Sequence, residues 1–263
     1  MITLASDFGT PYPAAMRGVI LRRTDARLVD VAHDFPRQDV RAAAFWLREL
    51  LPYFPPAVHL VVVDPGVGTD RNALVVRAGD HALVGPDNGV LLPAARALAA
   101  GAPLEVFVVD DGHDDLRPER AGGTRTQKSA TFHGRDVFAP AAADVHEAGV
   151  NHLETLASLS PTEEWTGLEL PEATVDGDRA AGEVMVVDDF GNVITNVPGT
   201  YLEDRATVVV DGERVPVGET FAAVEPGERL VTVGSHGNVE LDVNQGRGDE
   251  AFGLEAGDAV VLE

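Results

Sequence analysis

The chain has no cysteine, one lysine (Lys128) and no apolar run of about 20 residues. Lack of cysteine excludes a disulfide framework, a thiolate metal site and a cysteine nucleophile. Without a long apolar run there is no transmembrane helix, and Ile2-Thr3-Leu4-Ala5 follows the first residue with no basic leader, so the expected compartment is the cytoplasm. Three phosphate and hydrolase signatures are also missing: Gly-x-x-x-x-Gly-Lys-Ser/Thr, Gly-x-Gly-x-x-Gly after the first strand, and Gly-x-Ser-x-Gly.

What is present in excess is acid. Over 263 residues, 43 Asp and Glu face 20 Lys and Arg, a net charge of −23. Every basic residue except Lys128 is arginine. Such a surface suits a cytosol at molar salt, where the Debye length falls to about 3 Å and self-repulsion is screened, so a halophile is expected. The charge makes nucleic acid and anionic membranes poor partners.

The first two-thirds alternate strand and helix. Strands are expected at Ile2–Ala5, Leu28–Val31, Val58–Val63, Ala73–Val76, Ala82–Val84 and Leu104–Val109. Helices are expected after Pro11 and Pro13, from an Asp39 cap to Leu51, near Leu91–Leu98, and over Phe138–Ala148 with Gly149 just beyond. Residues 110–128 read as a polar surface loop. Beyond Pro171–Arg179 helical periodicity stops. Short strands (Val184–Val187, Val193–Asn196, Ala206–Val210, Arg214–Val217, Arg229–Val233, Val239–Val243, Ala259–Leu262) then follow between Asp-Gly, Pro-Gly and Gly-Asp turns. The expectation is an α/β fold. It comprises an N-terminal α/β domain, 1–170, with a central mostly parallel sheet, a linker at 171–179, and a smaller C-terminal antiparallel β-barrel domain, 180–263.

Ligands of open α/β sheets collect at the carboxyl ends of the strands. Ser6-Asp7-Phe8-Gly9, Asp64-Pro65-Gly66-Val67-Gly68 and Gly85-Pro86-Asp87-Asn88-Gly89 stand there, and Thr131-Phe132-His133-Gly134-Arg135-Asp136 opens a helix. Each such dipeptide also serves as an ordinary turn or cap. Asp64, Asp87, His133 and Asp136 are conceivable ligands of a hard cation, but no His-x-x-x-His supports a metal.

Taken in order, these strings with Thr69, Arg71, Asp189-Phe190-Gly191-Asn192, Gly234-Ser235-His236 and Val243-Asn244-Gln245-Gly246 resemble the S-adenosyl-L-methionine hydroxide adenosyltransferase family. Its members are hydrolytic relatives of the fluorinase and chlorinase enzymes. The resemblance runs from Ile2 to Leu262, and with the lysine-poor acidity it points to a haloarchaeal source. It implies attack of water or hydroxide at C5′ of S-adenosylmethionine, giving adenosine and L-methionine, with no cofactor and no metal. It implies Asp64, Arg71 and His133 as catalytic residues, Asp7 on the ribose hydroxyls, and Phe132 and Phe190 as walls of the nucleoside pocket. Asp188 and Asn192 are implied at the methionine end, Ser235 and His236 near that same end, and Asn244 near adenine. A homotrimer with sites between subunits is implied too.

The sulfonium is already a good leaving group, so the task is to place one water in line with the C5′–S bond. Arg71 can hold Asp64 by charge-assisted hydrogen bonds, and His133 can act as orienter or base; sequence leaves that choice open. The loop Thr10-Pro11-Tyr12-Pro13-Ala14-Ala15 is shorter than in many relatives. Where fluorinating members carry an acid for the substrate amine, Pro11 or Tyr12 stands, so Asp188 is left to hold that amine. Gln38 falls where those members stack an aromatic ring. Three alternatives stay open: a chlorinase-like halogenase, a non-catalytic adenosine- or S-adenosylmethionine-binding protein, and a metal-dependent hydrolase.

Overall fold

A computed structural model describes residues 1–117 and 129–263; the loop expected at 110–128 falls largely outside them, as does Lys128. The chain divides into two units, Met1–Glu169 and Leu170–Glu263.

The first unit runs β1 (Ile2–Ser6), α1 (Tyr12–Ile20), β2 (Leu28–Ala32), α2 (Val40–Leu50), β3 (Val58–Val62), β4 (Ala73–Ala78), β5 (His81–Pro86), α3 (Leu92–Ala99), β6 (Glu105–Val109), a π turn (Gly134–Phe138), α4 (Ala139–Ala148) and β7 (Leu159–Thr162). The strands lie in the order β2-β1-β3-β5-β4-β6-β7. From β2 to β5 neighbours pair in parallel, and β4, β6 and β7 extend the sheet antiparallel. The near-continuous apolar run of β3 has a plain cause: alternate side chains serve opposite faces. Leu60 and Val62 join the core under α1 and α4, while Val61 and Val63 join the core under α2 and α3. Each such side chain, fully buried, contributes roughly 1.5–3 kcal/mol.

His59 interrupts that run without exposing it. It is 0 % exposed, with Nδ1 2.7 Å from Thr3 Oγ1 and Nε2 2.9 Å from His81 Nδ1. The caps follow the expected chemistry. Asp39 Oδ1 accepts from Ala42 N at 2.8 Å at the head of α2, and Gly149 ends α4 at φ 82.

The second unit contains β8 (Thr174–Asp176), β9 (Arg179–Val187), β10 (Val193–Pro198), β11 (Thr207–Val210), β12 (Glu213–Pro216), β13 (Arg229–Val233), β14 (Asn238–Val243), a short α5 (Gly248–Phe252) and β15 (Ala259–Leu262). Its sheet is antiparallel in the order β12-β11-β15-β9-β10-β14-β13. A bridge from Val217 to Val231, with Gly218 N donating to Val231 O at 3.0 Å, brings the two ends of that order together into a nearly closed barrel. Val184, Val193, Val231 and Leu241 fill it. Asp211-Gly212, both at positive φ, make the tight hairpin between β11 and β12. The segment expected as a linker at 171–179 is not all linker: β8 pairs with β9, so its backbone is part of this sheet.

Candidate active site

β1 and β3 are adjacent and parallel, with Ser6 opposite Val62, so the loops that follow them leave the sheet side by side. The first carries Asp7 and the second carries Asp64 and Arg71. The π turn lies directly against both strand ends. A side chain on Gly134 would stand 3.2 Å from Phe8, 3.3 Å from Val62 and 3.0 Å from Met16 and would have to push these side chains aside, so glycine lets the turn sit deep. That seat delivers His133.

Asp64, Arg71 and His133 meet. Arg71 Nε donates to Asp64 Oδ1 at 2.8 Å, and its Nη2 donates both to Asp64 Oδ2 and, at 3.0 Å, to His133 Nδ1. The grip on the carboxylate is bidentate, the strongest and most directional form of this pair. Arg71 Nη1 is spent on Asn72 O at 3.0 Å. Only 4 % of the Asp64 side chain and 11 % of the Arg71 side chain is exposed, and His133 is 6 % exposed. Three groups up to 69 positions apart thus share one shielded spot at the carboxyl edge of the sheet.

Asp7 is buried beside them on the neighbouring strand end. It does not cap α1, whose first turn has no side-chain cap. Instead Asp7 Oδ2 accepts from Gln38 N at 2.7 Å, with Gln38 at φ 62, a strained conformation for a residue other than glycine. Ser6 Oγ lies 2.7 Å from His33 Nδ1, and Gly9 N donates to His33 O at 2.6 Å, which pins the same loop from below. Phe132 packs edge-on against Phe8 (5.8 Å between centroids) and Tyr12 (5.4 Å), and Tyr12 is more than half exposed. The shortened loop therefore ends in an aromatic wall.

Asp87 and Asn88 turn out to be braces. Asn88 Nδ2 donates to Val63 O at 2.9 Å, and Asp87 Oδ1 accepts from Thr166 N at 2.7 Å. Asp136 accepts from Ser129 N and from Arg135. Among the described residues no three of His, Asp and Glu are grouped to hold a metal ion.

In the second unit, Asp188 organises the turn between β9 and β10. Its carboxylate accepts from Phe190 N (2.9 Å), Asn192 N (2.9 Å) and Asn192 Nδ2 (3.0 Å). The Phe190 ring on this locked turn is 77 % exposed, so it is no part of the core of this unit. Ser235 and His236 lie in the turn from β13 to β14, at the other end of β14 from Asp188 and Asn192, on the order of 15 Å away along the strands. Within one chain the four residues expected together are thus split between two ends of the barrel. Asn244 sits just past β14 at the Asp188 end, where its Nδ2 donates to Val224 O at 2.7 Å.

Sequence reasoning missed Phe138, whose ring lies under the Arg71 guanidinium (5.0 Å), and the acidic pair Glu240 and Asp242. Phe138 gave no signal beyond its place at a helix start. The pair was legible as alternate positions of an otherwise apolar strand.

The chain matches the models of the SAM hydroxide adenosyltransferase N-terminal domain over residues 2–156 and of the C-terminal domain over residues 182–261. It is 42 % identical to the (R)-S-adenosyl-L-methionine hydrolase of Thermus thermophilus, covering 98 % of this chain and 97 % of that protein. With the (R)-S-adenosyl-L-methionine hydrolase of Salinispora tropica it shares 40 %, covering 98 % and 95 %. A crystal structure of an uncharacterized conserved protein from Thermotoga maritima superposes with a TM-score of 0.84 at 31 % identity, covering 100 % of this chain and 99 % of that one.

Proposed function

Because the chain belongs to the SAM hydroxide adenosyltransferase family, we propose that it hydrolyses S-adenosyl-L-methionine to adenosine and L-methionine. The observation that carries this reading is the Asp64–Arg71–His133 cluster, shielded from solvent and adjacent to Asp7. A water held by Asp64 attacks C5′ from the side opposite sulfur. The C–O bond forms as the C5′–S pair returns to sulfur, releasing a neutral thioether. One proton leaves the attacking oxygen. Because the thioether departs readily from the sulfonium, the residues need only align the water and receive that proton.

Asp7, with Oδ2 already held by a backbone N–H, is the group for the two ribose hydroxyls, since a carboxylate can accept from both. Phe132, with Phe8 and Tyr12, offers the nucleoside an apolar wall. Asp188 and Asn192, with Phe190 between them on one locked turn, are the candidates for the methionine end, and Ser235 and His236 lie too far along the strands to join them within the same chain. A homotrimer supplies those second-unit residues from a neighbouring copy, and the exposed ring of Phe190 supports such a role. Neither metal nor cofactor takes part in the step as written.

Asp64→Ala and His133→Ala are expected to lower turnover at least 100-fold while S-adenosylmethionine still binds within about threefold of wild type, read by adenosine release and calorimetry. Undiminished turnover in either variant rejects the assignment. Tight adenosine binding by wild type with no methionine released over long incubation favours a binding protein instead. Sedimentation at working concentration tests the trimer.

A further inference from the structure

His133 and Phe138 are five residues apart and flank the same guanidinium. Nη2 of Arg71 lies 3.0 Å from His133 Nδ1, and Cζ of Arg71 lies 5.0 Å from the centre of the Phe138 ring. An α-helix forbids this pairing: at 3.6 residues per turn, two residues five apart point about 140° away from each other. The segment is instead a π turn, in which the Ala139 N–H reaches Gly134 O five residues back. At about 4.4 residues per turn the same two residues fall within about 50° of one another. Gly134, seated against Phe8, Met16 and Val62, anchors the turn, and Phe138 is fully buried behind it.

The hydrogen bond between Arg71 and His133 has only one sense. A guanidinium donates and cannot accept, so His133 Nδ1 is the acceptor and carries no proton. The imidazole proton then sits on Nε2.

We propose that Phe138 is a positioning residue: its ring face holds the Arg71 guanidinium in the plane that lets Nη2 serve Asp64 and His133 together. This fixes His133 as the Nε2–H tautomer, a hydrogen-bond donor, and leaves Asp64 as the acceptor of the proton from water. The catalytic consequence rests on the hydrolytic reading above; the tautomer does not. In the step, one O–H bond of the water breaks, its proton passes to a carboxylate oxygen of Asp64, and the oxygen lone pair forms the bond to C5′. His133 keeps its own proton throughout.

Two replacements test this. Phe138→Leu keeps an apolar side chain and removes the ring face. Fluorinated phenylalanines placed at 138 keep the shape and drain charge from that face, which separates cation–π attraction from packing. Expected for Phe138→Leu are a kcat about tenfold lower, a KM within about twofold, and imidazole nitrogen-15 signals of His133 moved from the pure Nε2–H pattern to a mixture. The fluorinated series is expected to lose kcat stepwise at unchanged melting temperature. Unchanged kcat and unchanged nitrogen signals in Phe138→Leu, or a fluorinated series equal to wild type, overturn the proposal. If wild type hydrolyses nothing, the nitrogen spectrum still decides. A proton on Nδ1 refutes the proposal, whereas a proton on Nε2 that is lost in Phe138→Leu upholds the positioning role and leaves only the hydrolytic reading refuted.

Discussion

Arg71 spends four of its five N–H donors on position. Its fork holds both oxygens of Asp64, reaches His133 and takes the carbonyl of Asn72, so no atom of the guanidinium is left to roam. Lysine cannot reproduce this, because a single ammonium is a point charge without a planar fork. Arg71→Lys is therefore expected to lower kcat by about 100-fold, with the affinity for S-adenosylmethionine within about threefold, in single-turnover and calorimetric measurements. Equal kcat in the variant shows that charge alone suffices there. Asp7 tells a similar story with a different device: the strained backbone of Gln38 presents an N–H that holds one carboxylate oxygen.

At the scale of the element, β14 is the instructive strand. Val239 and Leu241 point into the barrel, so Glu240 and Asp242 share the other face of the strand, yet both are buried. Both oxygens of Asp242 lack a hydrogen-bond partner among the described residues, and Asp188 lies close enough to add its charge. Burial, then the neighbouring Glu240 and Asp188, pushes the Asp242 carboxyl up to about 8; burial and Asp188 push Glu240 up to about 7. The folded chain therefore keeps protons that the unfolded chain releases from about pH 4 upward, and this contribution to stability falls as pH rises toward 8. His59 acts on the opposite side. Burial and His81 hold it down to about 3, so the unfolded chain gains a proton below about 6.5 that the folded chain refuses, and acid destabilises. Thermal melts are expected to lose about 5 °C or more between pH 6 and pH 9, and Asp242→Asn is expected to recover much of that loss. An identical decline in the variant places the alkaline sensitivity elsewhere.

For the whole molecule, the dominant electrostatic feature is a net charge of −23. At low ionic strength the acidic groups repel over tens of ångströms; at molar salt they do so over about 3 Å. We propose that the fold depends on that screening, and dialysis from molar KCl to about 0.1 M is expected to reduce the circular dichroism and the activity together. Full structure and activity at low salt ends the halophilic reading. Molar KCl also offers chloride as a rival nucleophile. In the proposed step the shielded Asp64 carboxylate stands where the nucleophile enters, so adenosine is expected as the sole nucleoside product in molar KCl by chromatography, and any 5′-chloro-5′-deoxyadenosine counts against this placement.

The order of letters determined most of the architecture, because local physics suffices for it. Apolar periodicity marks β3 as doubly covered and α2 as capped by Asp39, and the Asp-Gly pairs mark hairpins such as that at Asp211-Gly212. Through the family resemblance that its motifs carry, it also singled out Asp64, Arg71 and His133 as candidates. Only tertiary structure decided what those residues touch. The π turn that sets Phe138 beneath Arg71 depends on how Gly134 seats against two strand ends. The separation of Asp188 from Ser235 depends on strand register. The burial of Asp242 depends on what covers the outer face of β14. Each of these is a contact between segments distant in the chain, and a linear pattern carries the period of a segment but not the identity of what it will meet.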